Sequence, residues 1–526
     1  MTVSGERPVQ NIVVVGGGTA GWLAACSIAA RAPQVAAASV TVTLIESPDI
    51  PTIGVGEGTW PTMRATLERI GIDEADFLVA CDASFKQGSR FIGWRDGSVG
   101  DSYLHPFSPP IDGAPRDIVQ AWQRAAPDAL FADAVCPQGQ VARADLAPRQ
   151  RAMPPYAGAL NYAYHVDAAK LAALMAKHGT ERLGVRRIAD HVVGIDSDDG
   201  GDIAGVRTRE GGTIAGDLFI DCSGLSALLI GTHFGSGFRD FSAVLPNDRA
   251  LAVQVPVAPD SPIASQTDAT AHSAGWIWDI GLPTRRGIGC VYASRFMDDE
   301  VAEATLAAYL QRKFPSLDPA AFTPRKLSFR SGHRERFWVR NCLAIGLSAG
   351  FLEPLEASAI VLIELSIDAL IDGFPATRAV MDAHAARFNT QFAYRWDRIV
   401  EFLKLHYVLS TRDEPYWRAH REASGVPPRL AALLDIWRYQ PPSRADFPAA
   451  DEIFPAASHQ YVLYGMGFPA PPAAVAQRTG ADAAVQAMQA AAQRGRALAA
   501  SLPTNRAYLD ALARERMTDL RKQPAA

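Results

Sequence analysis

The sequence predicts an α/β protein of two lobes with a helical C-terminal section, on three observations. A Gly-rich loop joins an apolar strand to a helix near the N-terminus, a later region alternates apolar and polar residues like antiparallel strands, and the helical period dominates from about Pro354 onward. A chain of 526 residues is long enough for one large core with a second lobe, or for two to three modest domains. The parts interleave in this reading: a core from 1–100, 156–240 and 330–380, a second lobe from 101–155 and 241–329, and a helical section from 381–526.

The elements follow in order. "NIVVV" reads as a strand, "TAGWLAACSIAARA" as a helix and "SVTVTLIES" as the next strand, an alternation that implies a doubly wound parallel sheet. "HVVGIDSD", "IAGVRTRE" and "DLFIDCSG" form a strand-rich stretch, a meander that returns to the first sheet. Residues 100–155 are rich in Pro, Asp and Arg, whereas "ALAVQVPV" and "GIGCVYASRF" within 245–330 read as antiparallel strands. The chain ends in the Ala-rich amphipathic segments "AAVQAMQAAAQRGRALAASLP" and "YLDALARERMTDLRK", a helical cap, after a short proline-rich joint, "FPAPPAA", near residue 470.

Composition narrows the function classes. Hydrophobic residues make up 48% and charged residues 20%, and 51 basic against 56 acidic residues leave no field suited to nucleic acid. No apolar run approaches the roughly 20 residues that cross a bilayer, and "MTVSGERPVQ" lacks the basic and apolar regions of a secretory signal, so a cytoplasmic protein is expected. The six cysteines are scattered singly without metal-ligand spacing, which argues against structural zinc and a disulfide framework; no metal is expected, and Cys222 reads as a small buried hydrophobe.

The first chemical signal is "VVVGGGTAGW". Gly16, Gly18 and Gly21 have the GxGxxG spacing directly between strand and helix, with Thr19 and Ala20 in the same loop, and the next strand ends in Glu46, where a carboxylate meets a ribose hydroxyl. Glycines let backbone amides approach a pyrophosphate, whose charge faces the helix N-terminus. FAD is preferred over NAD because such domains commonly return a distant strand beneath the flavin, and "GDLFIDCSG" and "NCLAIGLSAGF" are both candidates. There is no second GxGxxG, so either a nicotinamide domain is degenerate or reduced flavin arrives from another protein.

Three further strings carry candidate chemistry. In "CDASFKQGSRFIGW", Lys86 has aromatic neighbours that can strip its hydration and make its amine reactive, although the string alone favours a surface lysine. "HSAGWIWDIGLP" puts Trp276 and Trp278 on one face of a strand, as core packing or as a stacked aromatic pocket. "GFLEPLEASAI" draws Glu353 and Glu356 into an apolar run that continues as "VLIELSIDALIDG".

Taken in order over residues 10 to about 370, "GGGTAGW", "IGVGEGTW", "FKQGSRFIGW", "YAYHVDA", "DLFIDCSG", "GWIWDIGLP" and "GFLEPLEASAI" resemble the flavin-dependent tryptophan halogenases. The resemblance implies a two-lobed FAD-binding fold with an antiparallel substrate-side sheet and C-terminal helices that complete the pocket. It also implies that FADH2 from a separate flavin reductase, with oxygen and chloride or bromide, yields hypohalous acid for a small aromatic substrate. By that resemblance Lys86 takes the family's lysine position, as haloamine or hydrogen-bond donor, and Glu356 the glutamate that assists halogenation. Halide-binding amides fall on Ser358 and Ala359, flavin contacts on Val193, Leu347 and Ile360, and a homodimer is allowed. Both roles make physical sense, since electrophilic substitution builds positive charge on the ring and a nearby carboxylate stabilises it.

The helix that offers these amides has two possible starts, with Pro354 at the first helical position or with Ser358 as N-cap, and the resemblance favours the second. The family's usual Ser-Thr-Gly has become Ala357, Ser358 and Ala359. If the third position needs positive φ, alanine there costs about 1 kcal/mol relative to glycine. The tryptophan motif carries Gly281 where proline is expected, with Pro283 two places later. His105 and Phe107 are candidates to sandwich the arene, or else pack a loop, and Tyr416, Trp417, His459 and Tyr461 are candidates for the pocket wall. The substrate is tryptophan, indole or another electron-rich arene. The rivals are a flavin monooxygenase hydroxylating an aromatic substrate and a flavin-binding protein without turnover.

Overall fold

The computed structural model describes residues 7–50, 56–471 and 480–522, so residues 53–55 of "IGVGEGTW" and 472–474 of the proline-rich joint lie outside them. The chain forms two units, one from Met1–Ala83, Val166–Asp240 and Ser331–Trp396, the other from Ser84–His165, Phe241–Arg330 and Asp397–Ala526.

The first unit is built on a six-stranded sheet in the order Trp338–Val339, Cys342–Ala344, Leu218–Asp221, Asn11–Val15, Thr41–Glu46 and Arg186–Ala189. Its pairings are parallel apart from the antiparallel edge at Trp338–Val339. Strands covered on both faces read as continuous apolar runs, which is why "NIVVV" buries Ile12, Val13, Val14 and Val15 together rather than every second residue. Ile12 stands opposite Val42 on one side and Leu218 on the other. Both candidates for a strand returning from far along the chain join this sheet: Leu218–Asp221 lies beside the first strand, and Cys342–Ala344 lies beside it in turn. The meander Val192–Ser197, Ile203–Thr208 and Gly212–Ala215 forms its own antiparallel sheet. The helices Thr19–Arg31 and Ser358–Asp372 pack against each other, the second burying Ile360, Val361, Ile363, Ile367 and Leu370.

The second unit is built on a seven-stranded sheet in the order Arg325–Ser328, Arg249–Pro256, Arg285–Tyr292, Gly275–Gly281, Thr267–His272, Gly88–Ile92 and Ser102–Pro106. The expected antiparallel pairing holds, with one parallel pair between Thr267–His272 and Gly88–Ile92. Helices Pro115–Ala125, Phe131–Val135 and Gln138–Arg143 occupy the Pro-, Asp- and Arg-rich stretch, and the Ala-rich helix Ala481–Ser501 packs on all three. Val141, Leu146, Leu160 and Leu502 close that contact. Gly495 lets it tighten, because a Cβ there would lie 2.9 Å from the Gln140 side chain. No helix among the described residues is long and apolar enough to cross a membrane.

Candidate functional site

Each glycine of the N-terminal loop has its own steric reason. Gly16 sits at φ +117°, and a Cβ there would lie 2.1 Å from the Cys222 carbonyl oxygen, so the turn closes only without a side chain. Gly21 lets the helix press onto the strand end, since its Cβ would fall 1.8 Å from the Gly16 carbonyl oxygen. Gly18 differs: its backbone is extended, it is the N-cap of Thr19–Arg31, no side chain caps that start, and a Cβ there meets no atom within 4 Å. The first and third glycines therefore make the turn, while the second leaves the helix start approachable by a pyrophosphate.

Glu46 ends its strand beside this loop, its carboxylate folded against Gly17. It accepts from Trp22 Nε1 at 3.0 Å and from Arg187, and a carboxylate has capacity for a further hydroxyl donor. Thr19 and Ala20 form the first turn, and Gly346, at φ +77°, brings the turn containing Leu347 against Ala20. Val193 lies on the meander and is exposed, whereas Ile360 is buried in the Ser358 helix. Cys222 is buried, and its burial pushes the thiol well above the ordinary range, which suits a packing residue rather than a nucleophile.

Glu353 and Glu356 are both buried. The backbone after Glu356 corrects the expected strain: Ala357, at φ 54° and ψ 42°, is the left-handed residue, and Ala359 lies inside the helix. The helix begins with Ser358 as its first residue and Ala357 as N-cap, one position before the expected cap, and no side chain caps it. The first-turn amides of a helix, Ser358 and Ala359 here, have no intrahelical partner, and such uncapped starts can bind anions. Two residues of the sequence not singled out above support this turn. Trp60 donates from Nε1 to the Glu356 carbonyl at 2.9 Å, and Glu364, whose burial raises its carboxyl to about 7, accepts from Thr62 and Thr66.

In the second unit Lys86 is 1% exposed, which excludes the surface-lysine alternative. Its short strand Ser84–Lys86 pairs antiparallel with Ala163–Val166, placing Lys86 opposite Ala163 and Ser84 opposite His165. Phe107 is half-buried and its ring centroid lies 5.2 Å from the Lys86 amine, so one arene face meets the cation. His165 is buried, with Nε2 2.8 Å from the Thr267 hydroxyl, and burial, reinforced by the Lys86 charge, holds it neutral. Asn505 bonds both backbone groups of Phe85, and Ser84 donates to the Gly281 carbonyl at 2.6 Å.

The aromatic candidates pack in two groups, which His406 bridges through Phe402 and Trp94. His105 and His459 both pack on Phe402, with Phe454 and Tyr461 beside His105, and burial presses His459 down to about 3. Trp276, Trp278 and Trp417 belong to the other group. Trp276 contacts Trp94 and Trp278, while Trp417 contacts Trp94 and donates to the His272 carbonyl. The Trp278 ring occupies the space a Cβ on Gly289 would need, 2.1 Å from it, and its indole N–H is buried without a hydrogen-bond partner among the described residues. Tyr416 is drawn into this packing too, donating to Asn247.

A parallel sheet ending in this loop defines a dinucleotide-binding α/β protein, and the comparisons with known proteins sharpen that class. The tryptophan halogenase family model matches residues 11–481. Tryptophan 6-halogenase SttH of Streptomyces toxytricini is 34% identical, covering 96% of this chain and 99% of the relative. A solved tryptophan halogenase from Shewanella frigidimarina NCIMB 400 is 47% identical with TM-score 0.92, over 97% of this chain and 98% of that one. Xcc4156, a flavin-dependent halogenase from Xanthomonas campestris, is 34% identical with TM-score 0.85, over 96% and 99%. This chain belongs to the tryptophan halogenase family of flavin-dependent enzymes.

Proposed function

We propose that this enzyme halogenates an uncharged, electron-rich arene of the indole type, using FADH2 from a separate reductase, O2 and chloride or bromide. The observation that carries the reading is the burial of Lys86 with its amine against Phe107, because a lysine is rarely withdrawn from water unless its charge or nucleophilicity is used. The flavin, the halide and the Glu356 carboxylate are assigned to residues of the first unit, and Lys86 with the aromatic surroundings to residues of the second.

The residues present fit FAD: the uncapped helix start beyond Gly18 suits a pyrophosphate, with Gly16, Thr19, Ala20 and Gly21 shaping the loop, Glu46 at a ribose, and Val193, Leu347 and Ile360 along the flavin. Reduced FAD, when bound, would supply two electrons to O2 while the halide gives up the other two, so that one oxygen atom leaves as water and the other forms hypohalous acid. The amides of Ser358 and Ala359 hold the halide. Lys86 binds the oxidant through its amine and directs it to the ring. There the carbon–halogen bond forms as the oxygen–halogen bond breaks, Glu356 takes the displaced ring proton, and the departing hydroxide leaves as water after protonation. His105, Phe107, Trp276, Trp278, Trp417 and His459 supply the aromatic surroundings. A wall of rings with His459 held neutral suits an arene without the two charges of a free amino acid.

The test supplies FAD, a reductase, NADH, O2 and either halide with indole and with tryptophan, and reads product masses. A halogen isotope pattern on indole is expected. Oxygen addition independent of halide would establish the monooxygenase instead, and flavin binding without any product would establish the non-catalytic flavoprotein.

A further inference from the structure

The peptide that follows Glu356 is held at both ends. Its carbonyl accepts from Trp60 Nε1 at 2.9 Å, and its N–H, on Ala357, donates to the Pro354 carbonyl at 3.1 Å. Carbonyl and amide share one rigid plane, so two bonds on opposite edges fix its rotation. That rotation sets φ of Ala357, which lies at 54° in the left-handed region. Alanine has no polar side chain to favour that region and a Cβ that disfavours it, so the conformation must be imposed from outside. A second anchor keeps Trp60 in register. Thr62 and Thr66, on the helix Thr62–Arg69 just after Trp60, donate to Glu364 at 2.9 and 2.5 Å, and Glu364 belongs to the helix whose first turn follows Ala357.

We propose that Trp60 is a positioning residue for halogenation: by holding the Glu356–Ala357 peptide plane, it fixes the Glu356 carboxylate and the first-turn amides of Ser358 and Ala359 in one arrangement. The proposal rests on the roles given above to Glu356 and those amides. Without the indole N–H the plane turns over, Ala357 leaves the left-handed region, and the first turn of the helix no longer presents both amides together.

The test is Trp60→Phe, which keeps an aromatic ring and removes the donor. The halide concentration giving half-maximal rate is expected to rise about fivefold or more, the scale of one lost hydrogen bond, with flavin affinity unchanged. Adding Ala357→Gly should restore much of the halide dependence, because glycine enters the left-handed region without steric cost. That double variant also carries the test if the single one does not fold. Unchanged halide dependence in Trp60→Phe, even with a lower melting temperature, would overturn the proposal, as would failure of Ala357→Gly to rescue. Glu356→Gln separates this from the underlying reading: if that variant halogenates normally, the role of Glu356 falls whatever Trp60 does.

Discussion

The two units present buried functional groups by opposite means. In the first, the sites proposed for pyrophosphate and halide are backbone, the helix start beyond Gly18 and the first turn after Ala357, shaped by glycine sterics and one left-handed residue, with the Glu46 and Glu356 carboxylates beside them in sequence or structure. In the second the proposed groups are all side chains, with Lys86 and the aromatic rings fixed by strand pairing and packing. A backbone site tolerates a change of side chain that leaves φ and ψ alone, which is how a family motif reads Ala357, Ser358, Ala359 here while the helix still starts uncapped. A side-chain site has no such latitude.

The sharpest way to break this contrast lies in the Gly-rich loop. Gly16→Ala should lose both fold stability and flavin binding, with affinity falling roughly 100-fold, since its Cβ meets the Cys222 carbonyl at positive φ. Gly18→Ala should keep the melting temperature, because its Cβ meets no protein atom within 4 Å, and weaken flavin binding alone, because the added methyl stands at the proposed pyrophosphate site. Equal effects of the two on melting temperature would show that the glycines do not divide their work. Flavin titration and thermal unfolding measure both quantities.

On the other side of the comparison, Lys86→Met removes the amine and keeps much of the apolar stem. Halogenation should fall by about 100- to 10,000-fold, the range for loss of one catalytic group, with flavin binding unchanged. Normal turnover would remove Lys86 from the chemistry. A smaller effect is expected at Asn505, which bonds the N–H and carbonyl of Phe85, 420 positions away in sequence. Asn505→Leu leaves buried backbone groups unpaired, at a cost of about 1–3 kcal/mol, so the melting temperature should drop by several degrees and turnover should decline with it.

This contrast also explains what was legible in the sequence. The Gly-rich loop was readable because backbone sterics demand glycine at given spacings, and the valine run beside it because parallel strands bury both faces. The left-handed residue after Glu356 was not, since alanine carries no signal for positive φ and the support comes from Trp60, in a distant segment. The burial of Lys86 was equally hidden, because its own string looks like a surface strand. Phe107 and the strand Ala163–Val166 decide it, through contacts that composition does not encode. Trp276 and Trp278 were readable as neighbours on one face, but their packing on Trp94 and Gly289 belongs to the assembled sheet.

The smallest predicted effect tests whether two helices, one in each unit, respond oppositely to acid. Burial lowers His165 and His420 well below their ordinary value, His272 to about 4 and His459 to about 3. Between the unfolded value near 6.5 and these depressed values the unfolded chain binds more protons, so local stability around these rings is lost as pH falls through that window. Glu364 behaves in reverse. Burial raises it to about 7, with Asp368 adding to the rise while Thr66, Thr62 and Arg69 oppose it, so its stabilising contribution is present below the unfolded value of about 4.5 and is lost as pH rises through about 7. Moving from pH 8 to pH 5.5 should therefore speed amide exchange, corrected for its intrinsic pH dependence, in the helix Ala456–Gly465 and slow it in Ser358–Asp372. Glu364→Gln should cancel the second change and leave the first. If both helices shifted in the same direction in the unmodified enzyme, the opposition between a carboxylate kept protonated and histidines kept neutral would be wrong, and the acid response would belong to the chain as a whole.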